Sequence, residues 1–343
     1  MRRHALHDFL PVILTTFSLG TGCGSGFGTQ DTNDLNLKSE ALSVIKRNSG
    51  AIVVMGSVTT GIGYHDTVFR TSTDGGQTWT SIQSPVEGRG PGTDYLLGED
   101  ETKALYLVGY NFLEISKSNE QGVWAVYRST DDGQNFTRKD AYYHPKSTTN
   151  VYSDASGIVS LNGYTYVSGN GGPGRGVVRR SNDAGTSWST VDDVALNDTN
   201  LLFATAGIAK DSLGNLYTAA ASLFPDKFVK RQVSVRKSSD GVTWKDALSY
   251  RYPDTKYIYA DPKAIAVDGG DSIYVAGQVQ SNAVETGNKT IIRWEVLKSS
   301  DQGTTWTNVD DYLHPTDSEN AMSVTAMGTA GAGVVYVVGT SST

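Results

Sequence analysis

Residues 296–306 read VLKSSDQGTTW, and four further stretches of the chain repeat the same pattern. The pattern is Ser-x-Asp-x-Gly-x-x-aromatic, with a Lys or Arg just before it. The other copies are FRTSTDGGQTW (69–79), VYRSTDDGQNF (126–136), VRRSNDAGTSW (178–188) and VRKSSDGVTW (235–244). The copies recur every 52 to 61 residues, measured between their aspartates at 74, 131, 183, 240 and 301. A period of this length indicates a repeat fold, in which each unit buries its core only by packing against its neighbours.

A second motif precedes each copy and predicts the order of the strands. Its copies are AIVVMG (51–56), ALYLVG (104–109), YTYVSG (164–169), NLYTAA (215–220) and SIYVAG (272–277). A sixth copy, VVYVVG (334–339), has no Ser-Asp-Gly partner behind it. Alternating strands and Gly-rich joints indicate four antiparallel strands in each unit.

The predicted fold is therefore all-β, a β-propeller of four-stranded antiparallel blades. The period predicts six blades, of which the last is incomplete. We expect residues 30–40 to supply an outer strand that closes the ring. A ragged closure after five and a half repeats is the alternative.

Hairpin chemistry explains why these residue types recur. An Asp carboxylate accepts hydrogen bonds from N–H groups of its own turn, Gly adopts a positive φ, and Trp supplies a large apolar anchor. The motif resembles the Asp box, or BNR repeat, of sialidase-like propellers, although the fourth copy lacks one residue before Gly241. The matching residues are Asp74, Trp79, Asp131, Phe136, Asp183, Trp188, Asp240, Trp244, Asp301 and Trp306. The resemblance implies that the boxes join the third and fourth strands, away from the binding face, and have a structural role.

The first 22 residues read as an export signal. Arg2 and Arg3 supply the positive start, and residues 9–19 (FLPVILTTFSL) form an apolar stretch that is too short to span a bilayer. Cys23 is the one cysteine of the chain and follows this stretch, which resembles the lipobox of bacterial lipoproteins. That resemblance implies a lipidated Cys23. The alternative is a plain secretory signal with an incidental cysteine.

These segments predict three parts of the chain and its location in the cell. Residues 1–22 form the signal peptide, residues 23–40 a lipidated cysteine with a polar, Gly-rich tether, and residues 41–343 the propeller. We expect an exported protein, anchored by lipid in the bacterial cell envelope. The absence of Asp after Cys23, where Gly24 stands, favours the outer membrane.

Composition excludes several function classes. The chain has 29 Lys and Arg against 36 Asp and Glu, a net charge of −7, so we expect no nucleic-acid partner. One Cys cannot form an internal disulfide or a cysteine-based zinc site. The His residues have no metal-ligand spacing. We predict no metal and no cofactor.

Candidate binding residues lie in the links between units. Three links share the pattern Tyr-x-[His/Tyr]-Pro, with each Pro nine residues beyond its box aromatic. One interpretation is a rigid turn whose aromatic ring packs between blades. The other is a ring of Tyr and His that stacks on sugars or on a peptide. The candidates, together with nearby arginines, are Tyr142, His144, Arg175, Tyr250, Arg251, Tyr252, Tyr312 and His314.

The resemblance to sialidases implies a particular catalytic set, which the sequence does not reproduce. Those enzymes use three arginines that bind the substrate carboxylate, a Tyr–Glu nucleophile pair and an Asp acid/base. The first of these arginines belongs to an Arg-Ile-Pro-like motif early in the propeller, and the early strands here read ALSVIKRN and AIVVMGSV instead. We therefore expect a non-catalytic module that binds a protein or a glycan on its loops. A divergent sialidase-like exo-glycosidase is the alternative, and a purely structural envelope component is a third option.

Overall fold

Twenty-two strands make up the regular structure of the described part of the chain. The structure is a computed structural model. It describes residues 39–47, 49–61, 64–82, 95–116, 119–145, 153–172, 174–195, 205–223, 231–253, 257–281, 290–313 and 322–341. The predicted signal peptide, Cys23 and most of the tether lie outside these residues.

The strands group into five four-stranded sheets and one two-stranded sheet, in chain order. Blade 1 contains β1 (Ser39–Lys46), β2 (Ile52–Gly61), β3 (Tyr64–Ser72) and β4 (Thr80–Ile82). Blade 2 contains β5 (Leu96–Glu99), β6 (Leu105–Ser116), β7 (Asn119–Ser129) and β8 (Thr137–Tyr142). Blade 3 contains β9 (Asp154–Leu161), β10 (Tyr164–Gly172), β11 (Arg175–Ser181) and β12 (Ser189–Ala195).

The remaining strands continue this order. Blade 4 contains β13 (Thr205–Lys210), β14 (Leu216–Leu223), β15 (Arg231–Ser238) and β16 (Lys245–Tyr250). Blade 5 contains β17 (Tyr257–Val267), β18 (Ile273–Ser281), β19 (Ile292–Ser299) and β20 (Thr307–Tyr312). The last sheet contains β21 (Met322–Thr329) and β22 (Val335–Ser341).

This architecture confirms the predicted propeller of four-stranded antiparallel blades with an incomplete last blade. The first strand of each sheet packs beside the first strand of the next, from β1 to β21. The prediction that residues 30–40 form an outer strand of the last blade is wrong for Ser39 and Glu40. These two residues begin the first strand of blade 1, where they pair with Val58 and Ser57 of β2.

The apolar cores lie between blades, because each sheet turns alternate side chains toward its two neighbours. In the cluster shared by blades 2 and 3, Trp124 of β7 is fully buried and packs with Val177 of β11 and Trp188. The motif aromatic residue of blades 2 to 5 packs into the interface with the preceding blade. This holds for Phe136, Trp188, Trp244 and Trp306. The motif therefore stabilises contacts between blades as well as its own hairpin.

The motif itself forms the turn between the third and fourth strands of each full blade. Asp301 Oδ1 accepts a hydrogen bond from the backbone N–H of Thr305 at 2.8 Å, and its Oδ2 accepts one from Thr305 Oγ1 at 2.6 Å. Ser299 Oγ donates to the same carboxylate and accepts from the N–H of Gly303. These bonds lower the pKa of Asp301 to about 2. The same bonds recur at Asp74, Asp131 and Asp183.

Positive φ angles shape these turns at two successive positions. Gly303 has φ of 86°, as predicted for the motif glycine, and Gln302 before it has φ of 59°. The sequence pattern did not indicate the second position. A left-handed backbone strains residues that have a Cβ, so a substitution at Gly303 has a conformational cost.

We predict that Gly303→Ala lowers the free energy of unfolding by about 1 kcal/mol or more, because alanine resists the positive φ. Its Cβ would also lie 3.4 Å from the Cβ of Ala247. Gly328→Ala is the matched control, since Gly328 lies in β21 with open space around it. Urea unfolding of both variants measures the difference. Equal stabilities would contradict the role of the positive φ.

Candidate functional site

Strand direction divides the molecule into two faces. Because neighbouring strands are antiparallel, the first–second turns and the motif hairpins lie at one end of every blade, which we call the hairpin face. The second–third loops and the links between blades lie at the opposite end, the loop face. Much of the loop face lies outside the described residues, but the strand ends that carry it are described. Seven of the eight binding candidates belong to the loop face, and the eighth, His314, lies outside the described residues.

His144 joins blades 2 and 3 at the loop face. Its side chain is buried, and its Nε2 lies 3.0 Å from Asp193 Oδ2 on β12. Arg175, the first residue of β11, donates from Nε to Asp193 Oδ1 at 2.5 Å. Burial alone would raise the pKa of Asp193, but the hydrogen bonds from Arg175 and His144 outweigh it and hold the pKa below its usual value. Asp193 thus accepts from both candidates at once.

Tyr252 makes the corresponding contact between blades 4 and 5. Its hydroxyl donates to Asp311 Oδ2 on β20 at 2.5 Å, and Arg293 of β19 donates to Asp311 Oδ1 at 2.5 Å. Its ring also packs edge-on against Tyr257, with centroids 4.8 Å apart. The third residue of the Tyr-x-[His/Tyr]-Pro pattern therefore contacts an Asp–Arg pair of the next blade in both links. Contacts of this kind belong to a rigid link between blades.

The first tyrosine of the pattern ends the fourth strand in each case. Tyr142 packs edge-on against Trp124 with centroids 5.7 Å apart, and the Arg179 guanidinium lies 4.2 Å from its ring. Tyr312 packs on Trp294 in the same way, at 5.8 Å, and remains 40% exposed. Tyr250 is half-buried against the cluster of blades 4 and 5. These rings lie between blades.

Two exposed side chains follow these strands on the loop face. Arg251 comes directly after β16 and is exposed. Tyr143, which the sequence pattern did not single out, comes directly after β8 and is 45% exposed. An exposed ring and a guanidinium group on one face are suited to stacking on a sugar or a peptide.

Three arginines stand at the beginning of the third strands of blades 3, 4 and 5. Each is paired with an aspartate: Arg175 with Asp193, Arg231 with Asp261, and Arg293 with Asp311, at distances of 2.5, 2.9 and 2.5 Å. They belong to three successive sheets. Each guanidinium group is thus held by its own carboxylate.

Glu295 is a buried acid that our reading of the sequence missed. It lies on β19 with 3% exposure, and Asn308 Nδ2 donates to its Oε1 at 3.4 Å. Burial raises the pKa of Glu295 to about 7, and the charge of Asp311 adds to the rise, whereas the Tyr250 hydroxyl opposes it. A Glu inside the apolar stretch IIRWEVL (291–297) is the sequence signal that marks it. The cavity beside it measures only about 10 Å³.

The first–second turns hold another set of carboxylates that our sequence analysis missed. Asp100, Asp211 and Asp268 each accept two backbone N–H bonds within their own turn. Each stands six residues before a Tyr of the second strand, which is a pattern that the sequence does carry. They lie on the hairpin face. Within the described ranges there is no group of three or more His, Cys, Asp or Glu arranged to hold a metal ion.

Sequence comparisons find no relative: no family model matches the chain, and no curated protein matches it. Solved structures do match. A protein of unknown function from Dyadobacter fermentans has 16% identity and a TM-score of 0.53, and the match covers 84% of this chain and 86% of that one. An α-L-arabinofuranosidase from Fusarium graminearum, in complex with an iminosugar inhibitor, has 12% identity and a TM-score of 0.54, covering 88% and 87%. The intramolecular trans-sialidase of Ruminococcus gnavus has 14% identity and a TM-score of 0.51, covering 83% and 86%.

These neighbours define the class of fold. The chain has the sialidase-like β-propeller fold, and identities this low carry no activity across. Among the described residues no helix is long and apolar enough to serve as a membrane span.

We predict that Glu295→Gln stabilises the fold at pH 8 by about 3 kcal/mol and leaves it unchanged at pH 4. An acid whose pKa is raised by folding, here to about 7, holds its proton more tightly in the folded state. Wild-type stability therefore falls as pH rises from about 4.5 to 7, and a neutral amide removes this loss. Urea unfolding from pH 4 to 8 measures the effect. Parallel pH profiles for variant and wild type would rule it out.

We also predict that Asp193→Ala lowers the free energy of unfolding by about 2 kcal/mol, because it removes the carboxylate that bonds to buried His144 and to half-buried Arg175. Asp310→Ala is the matched control. Asp310 lies on the outer strand of blade 5, is exposed, and has no ion pair among the described residues. Thermal and urea unfolding compare the two variants, and similar losses would contradict the prediction.

Proposed function

We propose that the chain is an exported, lipid-anchored β-propeller of the cell envelope that binds a protein or glycan ligand on its loop face without transforming it. Cys23 carries the lipid, and the outer membrane is the favoured location. The five hairpins act as Asp boxes, which stabilise the scaffold, and the loop face takes the ligand.

Charge pairing at the loop face is the observation that carries this proposal. An enzyme that binds a substrate carboxylate with arginines needs guanidinium groups that can turn to the substrate. Arg175, Arg231 and Arg293 instead face the carboxylates of Asp193, Asp261 and Asp311. Their hydrogen bonds stabilise the scaffold. We assign the ligand to Tyr143 and Arg251 because both side chains are exposed on the loop face.

A glycan array and a pull-down from membrane extract with the purified chain test the binding. We predict that Tyr143→Ala and Arg251→Ala each weaken capture of the ligand by about tenfold, the loss of about one good contact. Lys245→Ala is the control, because Lys245 begins β16 at its hairpin-face end and is exposed. Failure to find any ligand in either assay would count against the proposal.

The lipid anchor has its own test. We predict that labelled palmitate is incorporated into the wild-type chain expressed in bacteria and that Cys23→Ser abolishes the label and releases the protein from the membrane fraction. Cell fractionation shows which membrane holds it. Labelling that persists in Cys23→Ser, or none in the wild type, would refute the anchor.

A divergent sialidase-like exo-glycosidase is the second candidate, and one observation favours it. Glu295 faces Tyr250, and its pKa of about 7 suits a general acid. The adjoining cavity of about 10 Å³ has room for a water molecule and not for a sugar. Fluorogenic sialosides and nitrophenyl glycosides distinguish the two functions. We expect no hydrolysis; hydrolysis that disappears in Glu295→Gln would establish the glycosidase.

A further inference from the structure

Blades 2 and 5 present the same aromatic pair to the blade that follows. Trp124 of β7 stands opposite Tyr142 of β8, and Trp294 of β19 stands opposite Tyr312 of β20. The ring centroids are 5.7 Å apart in one pair and 5.8 Å in the other. The two blades therefore present equivalent surfaces around these rings, and we call each surface a seat. The side chains that cover the seat on blade 2 indicate which side chains would fit the seat on blade 5.

The seat on blade 2 is filled by the third strand and hairpin of blade 3. Val177 and Trp188 pack into the cluster around Trp124, which is 0% exposed. Arg179, two residues after Val177, stacks on Tyr142 at 4.2 Å, and its Nε lies 3.4 Å from Asp140 Oδ2. An extended segment with a β-branched residue followed by an arginine thus covers the seat.

The seat on blade 5 is only partly covered by the residues that the structure describes. The last sheet has two strands, and its residues Val335 and Val337 cover the inner part of the seat. The outer part forms a groove of about 520 Å³, which we call the rim groove; its lining includes Trp294, Val309, Asp310, Tyr312 and Val337. Val309 is 51% exposed and Tyr312 40%. In the described part of the chain, β22 has β21 as its one partner strand, so its other edge offers free N–H and C=O groups.

A charge rule within this chain indicates what the rim groove accepts. The fourth residue after the motif aromatic faces the third strand of the next blade. Where it is an aspartate, the next strand places an arginine against it, as in Asp140 with Arg179 and Asp192 with Arg236. Where it is Leu248, the next strand places Leu297 in the same cluster.

Asp310 is the corresponding residue of blade 5. The pattern therefore predicts an arginine opposite it on an adjoining strand. The residue is exposed and has no ion pair among the described residues. A strand added to β22 in the register of β11 on β10 would place its arginine opposite Val337 and its β-branched residue opposite Gly339, beside Trp294.

We propose that the rim groove is a docking site for an extended segment of a partner protein, which pairs with the free edge of β22 as a third strand. The segment carries a β-branched residue that packs on Trp294 and, two positions later, an arginine that binds Asp310 and stacks on Tyr312. Backbone pairing supplies affinity and the two side chains supply selectivity, as in other cases of strand addition. This site is separate from the loop face and does not depend on the function proposed for it.

The chain supplies its own probe. The heptapeptide RGVVRRS, residues 175–181, is the segment that fills the equivalent seat on blade 2. We expect the labelled peptide to bind the full chain in fluorescence anisotropy, and a peptide in which Arg179 is replaced by Leu to bind about tenfold more weakly. Asp310→Leu should reverse this preference, as the Leu248 and Leu297 contact predicts. The peptide comparison needs no protein variant, and circular dichroism checks that Asp310→Leu folds.

Three results would overturn the proposal. The first is equal binding of both peptides, or no binding, by wild type. The second is binding that occurs only after residues 1–38 are removed, which would make a segment of this chain the occupant. The third is a dimer in sedimentation that the peptide dissociates, which would make a second copy the occupant. Selective binding to a monomeric full chain, with reversal by Asp310→Leu, supports the partner segment.

Discussion

Burial of one aromatic ring between neighbouring blades is the interaction on which the structure depends. A four-stranded sheet has two apolar faces and cannot bury either alone, so each blade is stable only beside another. The side chain of the motif aromatic projects from its hairpin into the interface with the preceding blade, as Trp188 does between blades 2 and 3. The hydrogen-bonded carboxylate of Asp183 and the positive φ of Gly185 fix the hairpin from which the ring projects. Local turn chemistry and global packing are therefore one constraint.

The sequence carried the fold because that constraint repeats. Five copies of one turn, at a nearly constant period, predicted the blades, the order of the strands and the incomplete last sheet. The closure of the ring was beyond such reasoning. Residues 30–40 contain no copy of either motif, and pairing between strands that are distant in the chain depends on the assembled edges. Ser39 accordingly begins the first strand of blade 1 and does not complete the last blade.

The sequence predicted where the candidate residues lie better than it predicted what their side chains do. The Tyr-x-[His/Tyr]-Pro pattern located the links between blades, but it did not reveal the partners. His144 meets Asp193 across 49 residues, and Tyr252 meets Asp311 across 59. A local sequence pattern cannot show contacts between residues that are this far apart along the chain. Glu295 escaped notice for a related reason, since its raised pKa comes from burial by two blades, which only the folded molecule brings together.

In the described part of the chain, the last sheet packs against blade 5. Apolar contacts join it to blade 5, and its turn is held there by the N–H of Gly333 on Asp268 and the N–H of Gly269 on the carbonyl of Gly331, at 2.7 and 2.9 Å. Tyr336 on β22 and Val334 just before the strand remain exposed, at 54% and 41%. Repeat proteins with a weakly covered end fray from that end. Amide protons of β22 should therefore exchange with deuterium well before those of β14 and β15, so that the molecule opens in sequence from this edge.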